Sequence, residues 1–413
     1  MTKRVLCILI LLAPALWAQE ILSDRIKGLR VYGSDQSGLP IAGIQSRPVT
    51  IEFDVVETTP PDVRLRVLHC DRDWNVTQNN FINDNMQNKS KEPLRYEPAP
   101  AGVQFYRYHY SVSIPGTAGL DRFAQSGNYI FEITDKDWIN VLARGRLFVT
   151  EDVVKPAMNV SNRSLPSEIA PYNQVNKIEV VFVIPSRTDN QTEILYPINF
   201  KTVDVYRNRQ LATPWRIDAD DNDPSTFIDG FGTAKLKFIV DNVTPGAYYR
   251  RVDLTSVDQY PEGQQLRARR GADVSRFQLP SRADNHGTSA LTQGSRYADY
   301  VPFQFELASD TRQFESVYVV GDFNGWKPSP EFLMTYDDDT RRYVLKTEFR
   351  RGAYDYQYVV GPNDWIILEG NDWRTINVYS ALIYYRDSRF GGFDRIIGFV
   401  QRLSPGGDQP TTD

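Results

Sequence analysis

Apolar residues recur at every second position through most of this chain, and no stretch carries a long apolar stripe at the 3.6-residue helical period. In VTIEFDVVE, Val49, Ile51, Phe53 and Val55 fall on one face, with Thr50, Glu52 and Asp54 opposite. The same alternation places Tyr106, Tyr108, Tyr110 and Val112 on one strand, and Tyr129, Phe131 and Ile133 on another behind the turn Ser126-Gly127-Asn128. It returns at Ile178 to Ile184, at Val301 to Leu307, at Tyr343 to Phe349, at Tyr354 to Val360 and at Val378 to Tyr385. A period of two is the signature of strands with one buried face. Such strands bury that face by stacking sheet on sheet. The expected fold class is therefore all-β, with three consecutive antiparallel β-sandwich domains of the Ig-like or early-set kind. The aromatic content, 23 Tyr and 21 Phe among 413 residues, supplies the bulky side chains that such strands prefer.

Punctuation between the strand runs sets the expected boundaries. Residues 1–18 read as a signal peptide: Lys3 and Arg4 precede an apolar run from Val5 to Leu12, and Ala18 offers a small residue at the cut. Cys7 lies inside that run behind Leu6, which is not a lipoprotein arrangement. An N-terminal sandwich is expected over 19–152 and a middle one over 153–280. The polar stretch 281–298 reads as a linker or mobile loop, 299–404 as a C-terminal early-set-like sandwich, and 405–413 as a disordered tail. Later segments lack the roughly 18 continuous apolar residues of a membrane helix, so no direct membrane insertion is expected. Without residues 1–18 the chain holds 45 basic and 52 acidic residues, a net charge of −7, which argues against nucleic acid as a partner. It also keeps one cysteine, Cys70, and so no internal disulfide.

Reactive-looking clusters are few. In His69-Cys70-Asp71-Arg72-Asp73-Trp74 a thiol adjoins an imidazole, but neighbouring strand residues point to opposite faces. The expected reading is a strand end with a packed Cys70 and an anchoring Trp74. Asp218, Asp220, Asn222 and Asp229 repeat at calcium-loop spacing, yet Asp223-Pro224 stands where the loop needs its sharp-turn glycine, so an acidic surface turn is expected. Asp337-Asp338-Asp339 reads as a hairpin loop, Asp322 lacks a defined cleft, and Arg267, Arg269 and Arg270 read as a solvated basic spot. No catalytic residue, metal site or cofactor is assigned.

Two resemblances follow. VYVVGDFNGWKP, residues 317–328, with the Tyr-rich strand 351–360 and Trp365 behind it, resembles the starch- and glycogen-binding early-set sandwich. Gly321, Phe323, Asn324 and Trp326 match its Gly-x-Phe-Asn-x-Trp turn. The resemblance implies a carbohydrate platform of Trp326 and Trp365, although Gln357 stands in place of the expected Lys. Over about residues 20–402, the ordered segments His69 to Trp74, Ser126 to Tyr129, Gly321 to Trp326, Tyr356-Gln357-Tyr358, Tyr384 to Asp387 and Asp394 to Gly398 resemble the plug protein family of the type IX secretion system. This implies a non-enzymatic periplasmic protein that occludes the outer-membrane translocon β-barrel from its periplasmic side. Carbohydrate binding through the C-terminal sandwich is the alternative. The resemblance assigns no partner-binding residues.

Overall fold

The computed structural model describes residues 18–34, 36, 38–84, 86–166, 168, 172–186, 193–268, 271–276, 284 and 286–405. Residues 1–17 of the expected signal, Arg269-Arg270, part of the expected linker and nearly all of the expected tail lie outside them.

The first sandwich is contiguous in sequence. Strands β1 (Gln19–Ile21), β2 (Ile26–Tyr32), β3 (Ile41–Gly43), β4 (Val49–Val55), β5 (Arg64–Cys70), β6 (Tyr96–Pro98), β7 (Tyr108–Ile114), β8 (Gly127–Thr134) and β9 (Val141–Thr150) make its two sheets. One has the order β1-β9-β8-β5, with β3 added in parallel to β9; the other has the order β2-β4-β7-β6. The alternating set Val49, Ile51, Phe53 and Val55 enters the shared core with Tyr110, Tyr129, Phe131 and Ile133, as the period of two predicts.

The chain then begins a second sandwich with β10 (Ala157–Ser164), β11 (Gln174–Val183), β12 (Thr202–Arg207), β13 (Trp215–Asp218), β14 (Thr226–Asp229) and β15 (Lys235–Val243). It leaves before finishing. Strands β16 (Arg250–Asp253), β17 (Leu266–Arg267), β18 (Ser289–Leu291), β19 (Tyr300–Ala308), β20 (Val317–Gly321), β21 (Thr335–Asp337), β22 (Arg342–Arg350) and β23 (Gly352–Val360) build the third sandwich. Strands β24 (Val378–Asp387) and β25 (Phe393–Leu403) return to close the second. There β12 pairs antiparallel with β24, and the sheet runs β13-β12-β24-β25 against β10-β11-β15-β14.

The all-β reading therefore holds, but the expected boundaries at 280 and 299 need correction. The third sandwich is inserted into the second. Strands near 378–403 complete the middle core, where Tyr379, Ala381, Ile383 and Ile397 pack with Val203, Val205 and Phe238. Residues 289–291, expected in a linker, form β18 on β23. Alternation marks a strand but not its partner, and here the partner of β12 lies far along the chain.

Candidate functional site

The polar faces of several strands are not open to water, because another sandwich covers them. On β4, Glu52 and Asp54 are as deeply buried as the apolar residues they alternate with. A buried charge is tolerable only when paired and hydrogen-bonded. These carboxylates belong to joints that tie the three sandwiches together.

The first joint rests on two cross-strand pairs. Asp54 lies opposite His109 across β4 and β7, and Tyr300 lies opposite Arg350 across β19 and β22. The pairs face one another. Arg350 Nη1 donates to both Asp54 oxygens at 2.7 and 2.8 Å, and the Tyr300 hydroxyl donates to Oδ2 at 2.9 Å. His109 Nδ1 lies 2.8 Å from Oδ1. Burial alone would lower the Arg350 pKa, but the facing Asp54 outweighs it and raises it.

The second joint unites all three sandwiches at Asp322, in the short turn after β20. Asp322 Oδ1 accepts from Arg209 Nε at 2.8 Å, and Oδ2 accepts from the Ser289 hydroxyl at 2.5 Å. Arg209 follows β12, and its remaining donors reach the carbonyls of Val31, Gln36 and Gly38 in the first sandwich. Arg30, on β2, pairs with Glu52 at 3.0 Å and lies 3.6 Å from Asp322. Burial pushes the Asp322 carboxyl up, yet Arg209 and Arg30 prevail and hold it below the usual range.

The turn that presents Asp322 is the Gly-x-Phe-Asn-x-Trp motif. Asn324 Oδ1 accepts from the Gly321 N–H, Phe323 packs on Phe349 with ring centroids 4.7 Å apart, and Gly325 takes φ +62°. Trp326 is only 2 % exposed. It packs at a tilt against Tyr249, ring centroids 4.3 Å apart, and donates to the Gly287 carbonyl at 3.0 Å. Trp365 joins the edge of the same cluster half-buried, its indole N–H on Asn363. The two rings thus come together, but the expected sugar platform is corrected: Trp326 is spent on packing and offers no open face. Gln357 is buried as well and donates to the Ala247 carbonyl. Its neighbours Tyr356 and Tyr358 both donate to Asp273.

The third joint gathers the remaining motif residues between the first and second sandwiches. His69 ends up in contact with Ser126 and Asp394, whose carbonyls lie 3.0 and 3.2 Å from Nε2, while Nδ1 lies 2.8 Å from the Thr77 hydroxyl. Two carbonyl acceptors at Nε2 place the proton there. Burial lowers the pKa of His69, so the ring is neutral. Gly127, at φ +143°, passes so close to His69 and the Asp394 carbonyl that a Cβ would lie 2.9 Å from that oxygen. The Asn128 side chain accepts from the Tyr384 hydroxyl at 2.8 Å. Arg395 donates to Glu151, Glu193 and Asp387, and the Ser126 hydroxyl also donates to Glu151. Phe148, Tyr206, Leu382, Tyr384 and Ile396 fill the apolar part of the joint.

Cys70 closes β5, packs on Ile130 and is fully buried; burial pushes its thiol up to about 12. Trp74 anchors the strand end under the Arg146 guanidinium, 4.4 Å from the ring centroid. Asp218 pairs with Arg72 and Asp220 with Lys201, so two of the carboxylates at calcium-loop spacing are already held by side-chain cations. Asp337 caps its hairpin by accepting from Asp339 and Thr340. Among the described residues, no three His, Cys, Asp or Glu side chains are grouped to hold a metal.

Sequence reasoning found the motifs but missed Arg209 and Arg350, whose acidic partners lie on other sandwiches, and Arg30, which pairs with Glu52 on the neighbouring strand and also approaches Asp322 on the third sandwich. The available signal was an acid flanked by aromatic or β-branched neighbours inside a strand, as in Phe53-Asp54-Val55, Val203-Asp204-Val205 and Tyr354-Asp355-Tyr356.

The fold has a precedent. A hypothetical protein from Parabacteroides merdae ATCC 43184, known from its crystal structure, superposes with a TM-score of 0.73 at 19 % identity, covering 94 % of this chain and 99 % of that one. No curated protein matches the chain. Residues 26–151 match the family described as type 9 secretion system plug protein 1st domain. That span runs from the start of β2 to just past β9 and takes in His69 and Ser126 to Tyr129. The first sandwich is therefore similar to the first domain of the type IX secretion system plug family, the family that the ordered motifs resemble.

Proposed function

We propose that this protein is a non-enzymatic periplasmic plug that reversibly occludes the outer-membrane translocon β-barrel of the type IX secretion system. The match of residues 26–151 to the plug family's first domain carries the reading. The joints support it. A wide aqueous barrel leaks unless something fills it, and a filler must hold its shape against the wall. Three sandwiches locked through Asp54, Asp322 and Arg395 form a body of that kind. Release for cargo favours a polar, hydrated contact with the barrel over an obligate apolar one.

The test is affinity isolation of the tagged protein from outer membranes, with identification of what comes with it. The large translocon barrel should co-purify when cargo is depleted, and deletion of the gene should admit large polar solutes across the outer membrane. A translocon that never carries this protein in any export state would sink the proposal.

A further inference from the structure

Ala18, expected as the last residue of the signal peptide, is built into the fold. It is 3 % exposed. Its carbonyl accepts from the Arg146 N–H at 2.9 Å, which carries the pairing of β1 with β9 one step beyond Gln19 and Gly145. Its methyl joins the apolar cluster of Leu39, Ile41, Phe148 and Tyr206. It also lies against Gly325, where an added Cβ would come within 2.7 Å of it. Gln19 continues the contact, its side-chain amide donating to the Asp322 carbonyl at 2.7 Å. Residues 18 and 19 thus tie β9 of the first sandwich to the turn that presents Asp322.

A cut after Ala18 would undo this arrangement in three ways. It removes the acceptor of the Arg146 N–H, in a residue that is itself 3 % exposed, and a buried donor left unpaired is costly. It leaves a gap where the methyl was packed. It also creates an α-ammonium on Gln19 in a corner that already holds two cations. There burial lowers the Lys327 pKa; Glu20 and Glu331 oppose the shift, and the Arg146 guanidinium adds to it.

The sequence offers another site three residues earlier. Export signals end in small residues at the last and third-last positions before the cut. Ala13-Pro14-Ala15 has that pattern, whereas a cut after Ala18 puts Leu16 at the third-last position. Residues 13–17 lie outside the described ones and count here by their sequence alone.

We propose that the export signal is cut between Ala15 and Leu16, and that Ala18 stays in the mature chain as a structural residue. A signal peptidase would add water across that bond, leaving a carboxylate on Ala15 and an ammonium on Leu16, clear of the buried corner. This assignment rests on the export signal and not on occlusion of the barrel.

The full chain, tagged at its C-terminus, is expressed in a host with a general export pathway, recovered from separated cell fractions, and read by intact mass and N-terminal sequencing. The periplasmic chain should begin at Leu16. Any other start overturns the proposal: Gln19 leaves the plug reading untouched, whereas an uncut chain confined to the cytoplasm sinks the export reading as well. Chains beginning at Leu16 and at Gln19, each released from an N-terminal fusion, test the physical cause. The Gln19 chain should melt at least about 2 °C lower. Equal melting temperatures would overturn the structural role given to Ala18, and the proposal with it.

Discussion

Asp322→Asn is the sharpest probe of the three-way joint. The change keeps the shape of the side chain and removes its charge. Ser289 can adapt, because its hydroxyl can turn from donor to acceptor. Arg209 cannot. Its other partners are the backbone carbonyls of Val31, Gln36 and Gly38, so Asp322 is the carboxylate that its guanidinium contacts. Removing one member of a buried pair strands the other, at a cost of about 3–5 kcal/mol. A loss of that size should appear in urea unfolding followed by tryptophan fluorescence. Arg209→Met combined with Asp322→Asn should recover much of it, since an apolar side chain needs no counter-charge there. The pH dependence has a definite sign. The Asp322 pKa is depressed in the folded state, so its contribution is present above the unfolded value near 3.9 and is lost as pH falls through the folded one. Wild type should therefore lose stability more steeply than Asp322→Asn below about pH 4. An Asp322→Asn protein within about 0.5 kcal/mol of wild type would refute the reasoning, because that is the scale of an ordinary surface substitution.

Three further outcomes follow from the third joint and the strand beside it. Cys70, with its thiol raised to about 12 and fully buried, should resist iodoacetamide in the native protein at pH 8 and react at once in urea; mass spectrometry reads both. His69 is held neutral, with its pKa lowered, so stability should fall as pH drops below the unfolded value near 6.5. His69→Gln should flatten that part of the stability–pH curve in thermal melts. Gly127→Ala combines a positive φ with a Cβ pressed between His69 and the Asp394 carbonyl, and should cost at least about 2 kcal/mol in urea unfolding.

The sequence exposed faces and hid neighbours. Val49, Ile51, Phe53 and Val55 could be assigned to a core because alternation is a local property. The same pattern made Glu52 and Asp54 look solvated, since nothing local reveals that a second sandwich lies above them. Arg350 is 296 positions from Asp54 and Arg209 is 113 from Asp322, so neither pair leaves a spacing to read. Trp326 sat in a motif whose resemblance implied a sugar platform, whereas its burial depends on Tyr249 and Gly287, from other segments of the chain. The plug resemblance succeeded for a related reason. Most of its motifs supply residues that hold the sandwiches together, and they follow one another in a fixed order even though each is short.

The insertion of the third sandwich within the second also bears on the order of assembly. As the chain is made from its N-terminus, the first sandwich has all its strands once β9 emerges, and the third once β23 does. The second must wait, with one side of β12 unpaired, until β24 arrives more than 150 residues after β12 has ended. An open strand edge of that kind invites mispairing and aggregation during the delay. A truncation just after Val360 would leave every strand of the last-begun sandwich present, yet it would deprive the middle one of two strands and the first–second joint of Arg395. Strands β24 and β25 are thus the latch of the molecule's centre, and damage there should release the second sandwich first.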